Sequence, residues 1–156
     1  MTTDAGTDHT TDRIERSIDI QAPRARVWRA LADAAQFGAW FGVSFDGPFT
    51  PGARLTGTLT DPDWAHVSFA VVVERIEPES LFTYRWHPFA VEPGVDYEQE
   101  PMTLVEFQLD EVPGGTRLTV VESGFDGIPP ERRGIAFRMN DQGWAEQVRR
   151  VAAYVT

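Results

Sequence analysis

Hydrophobic and polar positions alternate with a period of two through most of the chain, then switch to a helical period that runs to the C-terminus. Residues 14–20, Ile-Glu-Arg-Ser-Ile-Asp-Ile, set Ile14, Arg16, Ile18 and Ile20 against Glu15, Ser17 and Asp19, which predicts a strand with one mostly apolar face. Pro23 then suits the first turn of a helix, and Val27, Trp28 and Leu31 fall on its apolar stripe. Residues 35–42 read as a second short helix or turn that clusters Phe37, Trp40 and Phe41. Residues 46–53, rich in Gly and Pro, form a loop, 54–60 a strand and 61–66 a turn.

Two hairpins follow. The first turns around Glu77-Pro78-Glu79-Ser80. Pairing Val73 with Tyr84 and Val71 with Trp86 puts Val71, Val73, Phe82, Tyr84 and Trp86 on one face, and Val72, Glu74, Thr83 and Arg85 on the other. A slip of one residue would exchange the faces. Residues 90–101 form an acidic loop. The second hairpin spans 102–125, and a two-residue turn pairs Leu109 with Leu118, Phe107 with Val120 and Val105 with Glu122. From about 131 to 154 the pattern is helical, with Phe137, Trp144, Val148, Val151 and Val155 on one stripe at about 100° per residue. The predicted fold class is α+β: a curved antiparallel sheet wrapped around a long C-terminal helix, with two short helices after the first strand. Residues 1–12, rich in Thr and Asp and including His9, read as a disordered tail, and 13–156 as a single domain.

One position breaks the pattern. Glu122 shares its phase with Leu118 and Val120 and should point where they point. A carboxylate buried there needs a partner, water or a raised pKa. Asn140 and Asp141 precede Trp144 by four and three residues, roughly 40° and 60° from it around the helix, so both lie near the inward stripe. Desolvation and the charge of Asp141 would push the Glu122 pKa up, and Glu122→Gln is then expected to be neutral or stabilising at pH 8. The competing reading leaves Glu122 solvated at a sheet edge. Trp40, Tyr84, Trp86, Phe107 and Trp144, with Val71, are the candidate lining of a cavity around it. For any one of them ordinary core packing is the competing role. Gly143 costs helix stability and reads as making room for a side chain or ligand.

Composition narrows the functions. The chain has 156 residues, enough for one domain with a substantial core. A net charge of −10 argues against broad electrostatic binding of nucleic acid or an anionic membrane. Cys is absent, which excludes disulfides and thiolate chemistry, and with no Lys a Schiff base is excluded too. Arg- and Ala-rich, Lys-free usage points to a GC-rich bacterial source. With no signal-peptide pattern and no membrane-spanning run, a soluble cytoplasmic protein is expected. His66 and His87 lack metal-ligand spacing, and a zinc site from His87 with Glu122 is disfavoured. Glu92, Asp96, Glu98 and Glu100 lack the calcium-loop pattern and read as solvated. No metal and no cofactor is expected.

Five segments, "APRARVWRAL", "FGAWFG", "ERIEPESLFTYRW", "VEFQLDEVPGGTRLTVVESGF" and "GWAEQVRRVAAYV", together resemble the START/Bet v 1-like (SRPBCC) superfamily. Within it the chain resembles bacterial proteins similar to the activator of Hsp90 ATPase. The resemblance implies a helix-grip fold with a cavity between sheet and terminal helix. Three functions follow from it as expectations. The first is binding of a small hydrophobic or aromatic ligand by a monomer or homodimer, with Trp40, Val71, Tyr84, Trp86, Phe107, Glu122, Asn140, Asp141 and Trp144 at the site. The second is a cyclase- or aromatase-like enzyme using Glu122, Asn140 or Asp141 as acid, base or orienter. The third is a co-chaperone-like interaction with Hsp90.

Overall fold

A computed structural model describes residues 12–67, 69–92 and 94–156. The tail reading, His9 included, lies outside the described residues except for Asp12. Seven strands form one antiparallel sheet in the order β1-β7-β6-β5-β4-β3-β2. They are β1 (Arg13–Ile20), β2 (Val43–Phe45), β3 (Arg54–Leu59), β4 (Phe69–Glu77), β5 (Leu81–Trp86), β6 (Thr103–Val112) and β7 (Gly115–Ser123). Two short helices, α1 (Arg24–Ala32) and α2 (Ala34–Phe41), follow β1, and the long helix α3 (Pro130–Val155) lies across the sheet. This is the α+β helix-grip fold.

The short helices are bounded by local chemistry. Asp33 caps α2 by accepting from the backbone N–H groups of Ala35 at 2.9 Å and Gln36 at 3.2 Å. Gly42 ends it in the left-handed region at φ 94°. Inside α2, a Cβ on Gly38 would lie 2.1 Å from the Val43 carbonyl oxygen, so glycine lets β2 leave the helix closely.

The second hairpin has the expected register: Leu109 pairs with Leu118, Phe107 with Val120 and Val105 with Glu122. Because β1 pairs on the other side, with Ile14 opposite Glu122, the carboxylate sits on an interior strand rather than at an edge. The first hairpin differs in one respect. Val73 pairs with Tyr84, but Arg75 pairs with Thr83 and Ile76 with Phe82, so the register shifts between Val73 and Arg75. The extra residue, Glu74, is a bulge. Without it Arg75 would oppose Phe82 on the core face. With it, Ile76 takes that place and packs on the core while Arg75 stays exposed. The three-residue strand β2 was too short to be read from its pattern.

Helix α3 buries Ala136, Trp144, Val148 and Val151, with Phe137 and Val155 packed at the margins. Phe37 of α2 enters the interior from the other side, meeting Trp40 at 4.5 Å, Phe49 at 5.5 Å, Phe107 at 6.1 Å and Tyr84 at 6.2 Å between ring centres. No described helix is long and apolar enough to cross a membrane.

Deleting residues 144–156 removes Trp144, Val148 and Val151 from the core. Each large apolar truncation costs about 2–5 kcal/mol, against a total domain stability of about 5–15 kcal/mol. The truncated chain is therefore expected to lose its cooperative thermal transition in calorimetry. A sharp melt would contradict this packing.

Candidate functional site

The site is built around Glu122. Its side chain is fully enclosed, and four groups donate to it. Trp86 Nε1 donates to Oε2 at 2.8 Å, Thr103 Oγ1 to Oε2 at 2.6 Å, Trp144 Nε1 to Oε1 at 2.8 Å, and Asn140 Nδ2 to both oxygens at 3.0 and 3.2 Å. The donors come from β5, β6 and α3. Burying one ion costs several kcal/mol; hydrogen bonds to a charged group return about 1.5–3 kcal/mol each. Several such bonds are therefore the scale needed to hold a carboxylate there. Desolvation still dominates and raises the Glu122 pKa above its ordinary 4.5, while the bonds from Thr103, Trp86, Trp144 and Asn140 pull it down.

Asp141 does not take part. It pairs with Arg16, at 3.0 Å from Nε and 2.9 Å from the terminal nitrogen, so the expected carboxylate–carboxylate repulsion is replaced by an ion pair between α3 and β1. Arg16 had stood in phase with the isoleucines of β1, which is the signal that it faces the helix. The expectation for Glu122→Gln also changes. Protonated Glu122 can donate to Thr103 and still accept from Trp86. An amide nitrogen in that place cannot accept from Trp86, and turning the amide over only moves the conflict to Trp144.

The remaining candidates fall into two groups. Trp86 and Trp144 stack at 5.7 Å and 27°, and with Asn140 they border open space. Val71, Tyr84 and Phe107 are buried beneath them as core. The Tyr84 hydroxyl has no partner among the described residues, and burial together with the Glu122 charge holds its pKa well above the usual tyrosine value. Trp40 donates to the Ala30 carbonyl at 2.8 Å and serves the packing of α1 on α2.

Three spaces open beside this cluster. One of about 310 Å³ lies among Phe69, Trp86, Phe89, Val91, Tyr97 and Asn140. A crevice of about 110 Å³ is lined by Phe41, Trp86, Asn140, Gly143, Trp144 and Gln147. A third, of about 610 Å³, lies by Leu59, Asp61, Trp64, Gln147 and Arg150. Phe41 borders all three. A wider trough of about 990 Å³ along Trp28, Ala32 and Phe45 includes none of the residues that donate to Glu122. Phe41, Thr103 and Gln147 are additions to the sequence reading. Thr103 shares the phase of Val105 and Phe107, and Gln147 lies three residues after Trp144, so both were legible in principle.

The loop walling the first space is not merely solvated. Arg132 of α3 grips Glu100 at 2.9 Å and also donates to the carbonyls of Pro88 at 2.9 Å and Phe89 at 3.0 Å. Its guanidinium lies 4.8 Å from the Tyr97 ring centre. Phe89 has φ 48°, a conformation that β-carbon sterics disfavour, and the Arg132 bonds on either side hold it there. His87 Nε2 lies 3.1 Å from the Glu100 carbonyl oxygen and points at no metal-binding group; no cluster of metal ligands occurs among the described residues.

Fold and crevice together define a START/Bet v 1-like (SRPBCC) domain. Within that class the chain belongs to the activator of Hsp90 ATPase homolog 1-like family, which it matches over residues 21–156. Among solved structures, DynU16, a protein from the dynemicin biosynthetic locus, is 26% identical with a TM-score of 0.70 over 92% of this chain. This chain spans about half of DynU16, 47% of its length. MLL2253 from Mesorhizobium loti is 23% identical with a TM-score of 0.72, covering 92% of this chain and 96% of that one. CalU16 from Micromonospora echinospora is 20% identical with a TM-score of 0.62, covering 92% and 74%. No curated protein sequence matches the chain.

Because the Glu122 pKa is raised, the folded state holds that proton more tightly than the unfolded one. The stabilisation this gives is fully present below about 4.5 and is lost as pH rises through the higher folded value. Glu122→Gln lacks this dependence and carries the amide conflict, with an expected cost of about 1–3 kcal/mol. In urea unfolding the variant should be less stable than wild type, and the gap should narrow as pH rises above 4.5. A gap that widens with pH would mean the carboxylate is favoured in the fold and its pKa lowered.

Proposed function

We propose that this protein binds a small hydrophobic molecule with a flat aromatic face, in the crevice between α3 and the β3–β5 side of the sheet. One observation carries the reading. The indole N–H groups of both Trp86 and Trp144 are spent on Glu122, so the polar edges of the two rings point inward. The two rings stack on each other within the core, and the apolar part of each that remains open borders the crevice. Flat apolar ligands gain both area burial and ring stacking on such a surface.

The same geometry favours binding over catalysis. Trp86, Asn140 and Trp144 line the crevice, whereas Glu122 lies behind them with both oxygens engaged. A substrate would have to displace Asn140 before reaching the carboxylate. Glu122 is on this reading a positioning residue. The likeness to DynU16 supports a small organic ligand, since that protein comes from a biosynthetic locus.

The test is a titration with 2-naphthol followed by tryptophan fluorescence. Saturable quenching with a dissociation constant below about 1 mM is expected. Trp144→Phe, verified as folded by its melt, should weaken binding by about tenfold through loss of stacking area and ring orientation. Absence of saturable binding up to millimolar concentration would overturn the reading.

A further inference from the structure

Two features of α3 cost stability and serve nothing in the protein alone. Gly143 lies mid-helix, where glycine weakens the helix relative to alanine. Yet a Cβ built there meets no atom within 4 Å, so no neighbour requires its absence. One turn later, Gln147 Oε1 is buried and has no hydrogen-bond partner among the described residues, a state that native structures rarely leave unexplained. Asn140, Gly143, Trp144 and Gln147 are spaced i, i+3, i+4, i+7, one face of the helix. All four line the 110 Å³ crevice. Asn140 also borders the 310 Å³ space and Gln147 the 610 Å³ space, so the crevice is the waist between them.

We propose that this face of α3 is a two-ended site for an elongated, flat apolar molecule carrying a hydroxyl at each end. The inference rests on the crevice being a ligand site and adds the ligand's length and polarity. At one end Glu122 holds Asn140 by its Nδ2, which turns the amide oxygen away from the carboxylate and leaves it as an acceptor. At the other end the second acceptor is Gln147 Oε1, which is buried and unpartnered as it stands and is presented when the half-buried side chain turns toward the 610 Å³ space. Seven residues of helix separate them, about 10 Å, the span of two linked aromatic rings. Gly143 lets the middle of the molecule lie against the helix backbone, between the Trp144 ring and Phe41.

Isothermal calorimetry with biphenyl and with a biphenyl bearing a hydroxyl at each far end tests this on wild type, Gly143→Ala and Gln147→Leu. Wild type should prefer the diol by about tenfold, the equivalent of one or two hydrogen bonds. Gln147→Leu should lose most of that preference and keep its affinity for biphenyl. Gly143→Ala should melt about 2–4 °C higher and bind both compounds at least about tenfold more weakly, because its methyl fills the waist. The proposal is overturned if wild type binds both compounds equally, if Gln147→Leu keeps the preference, or if Gly143→Ala binds as wild type does. In each of those cases biphenyl binding leaves the ligand reading standing. If wild type binds neither compound, both fall.

Discussion

A carboxylate at the centre of an apolar interior cannot be left to chance, and the requirement to satisfy Glu122 organises everything around it. Its oxygens call for donors from several directions, and the fold supplies them from three separate elements: Trp86 on β5, Thr103 on β6, and Asn140 with Trp144 on α3. Meeting that demand fixes the position of the helix on the sheet along its axis and around it. A rotation of α3 would carry Trp144 and Asn140 away together and leave a buried charge with half its partners. Buried charged groups stripped of a partner are among the most destabilising defects a fold can suffer. The consequence is orientation: both indoles turn their N–H groups toward Glu122.

That orientation sets the open edges of two core residues against the crevice. Elsewhere aromatic rings pack around Phe37, and Val71, Tyr84 and Phe107 are fully buried. Open space survives where α3 crosses the β3–β5 side. There the wall is completed by a loop that Arg132 holds through Glu100 and two backbone carbonyls. The proposed site is thus a crevice whose walls are tied to each other by side-chain bonds. Its floor is set by a carboxylate that does not itself reach the opening.

How much of this the sequence disclosed depended on whether the deciding interaction was local. Alternation placed Glu122 on the inner face and gave its pairing with Val105, because register in a two-residue hairpin is a local property. The helical stripe placed Asn140 and Trp144 toward it for the same reason. The bulge at Glu74 was hidden, although the spacing of Val71, Val73 and Ile76 is a phase break that strict alternation cannot accommodate. The sequence places Asp141 near Glu122 as a repelling neighbour, whereas its ion pair with Arg16 is set by the tertiary approach of β1 to α3. The lining was overextended inward, since how completely Phe37 fills the interior is a matter of packing across distant segments. Glu100 went unpaired for a similar reason: its partner Arg132 lies on the far side of a whole hairpin.

The central claim is that one buried carboxylate orients both indoles of the proposed floor. It is tested most directly by nitrogen-15 NMR of the tryptophan side chains across a pH titration. The Nε1–H signals of Trp86 and Trp144 should exchange slowly with solvent and shift together, with a shared midpoint above 4.5, the ordinary carboxyl value. Assignment follows from the Trp86→Phe and Trp144→Phe spectra. Fast exchange of either indole proton, or two indoles that titrate independently or not at all, would mean that Glu122 does not hold them.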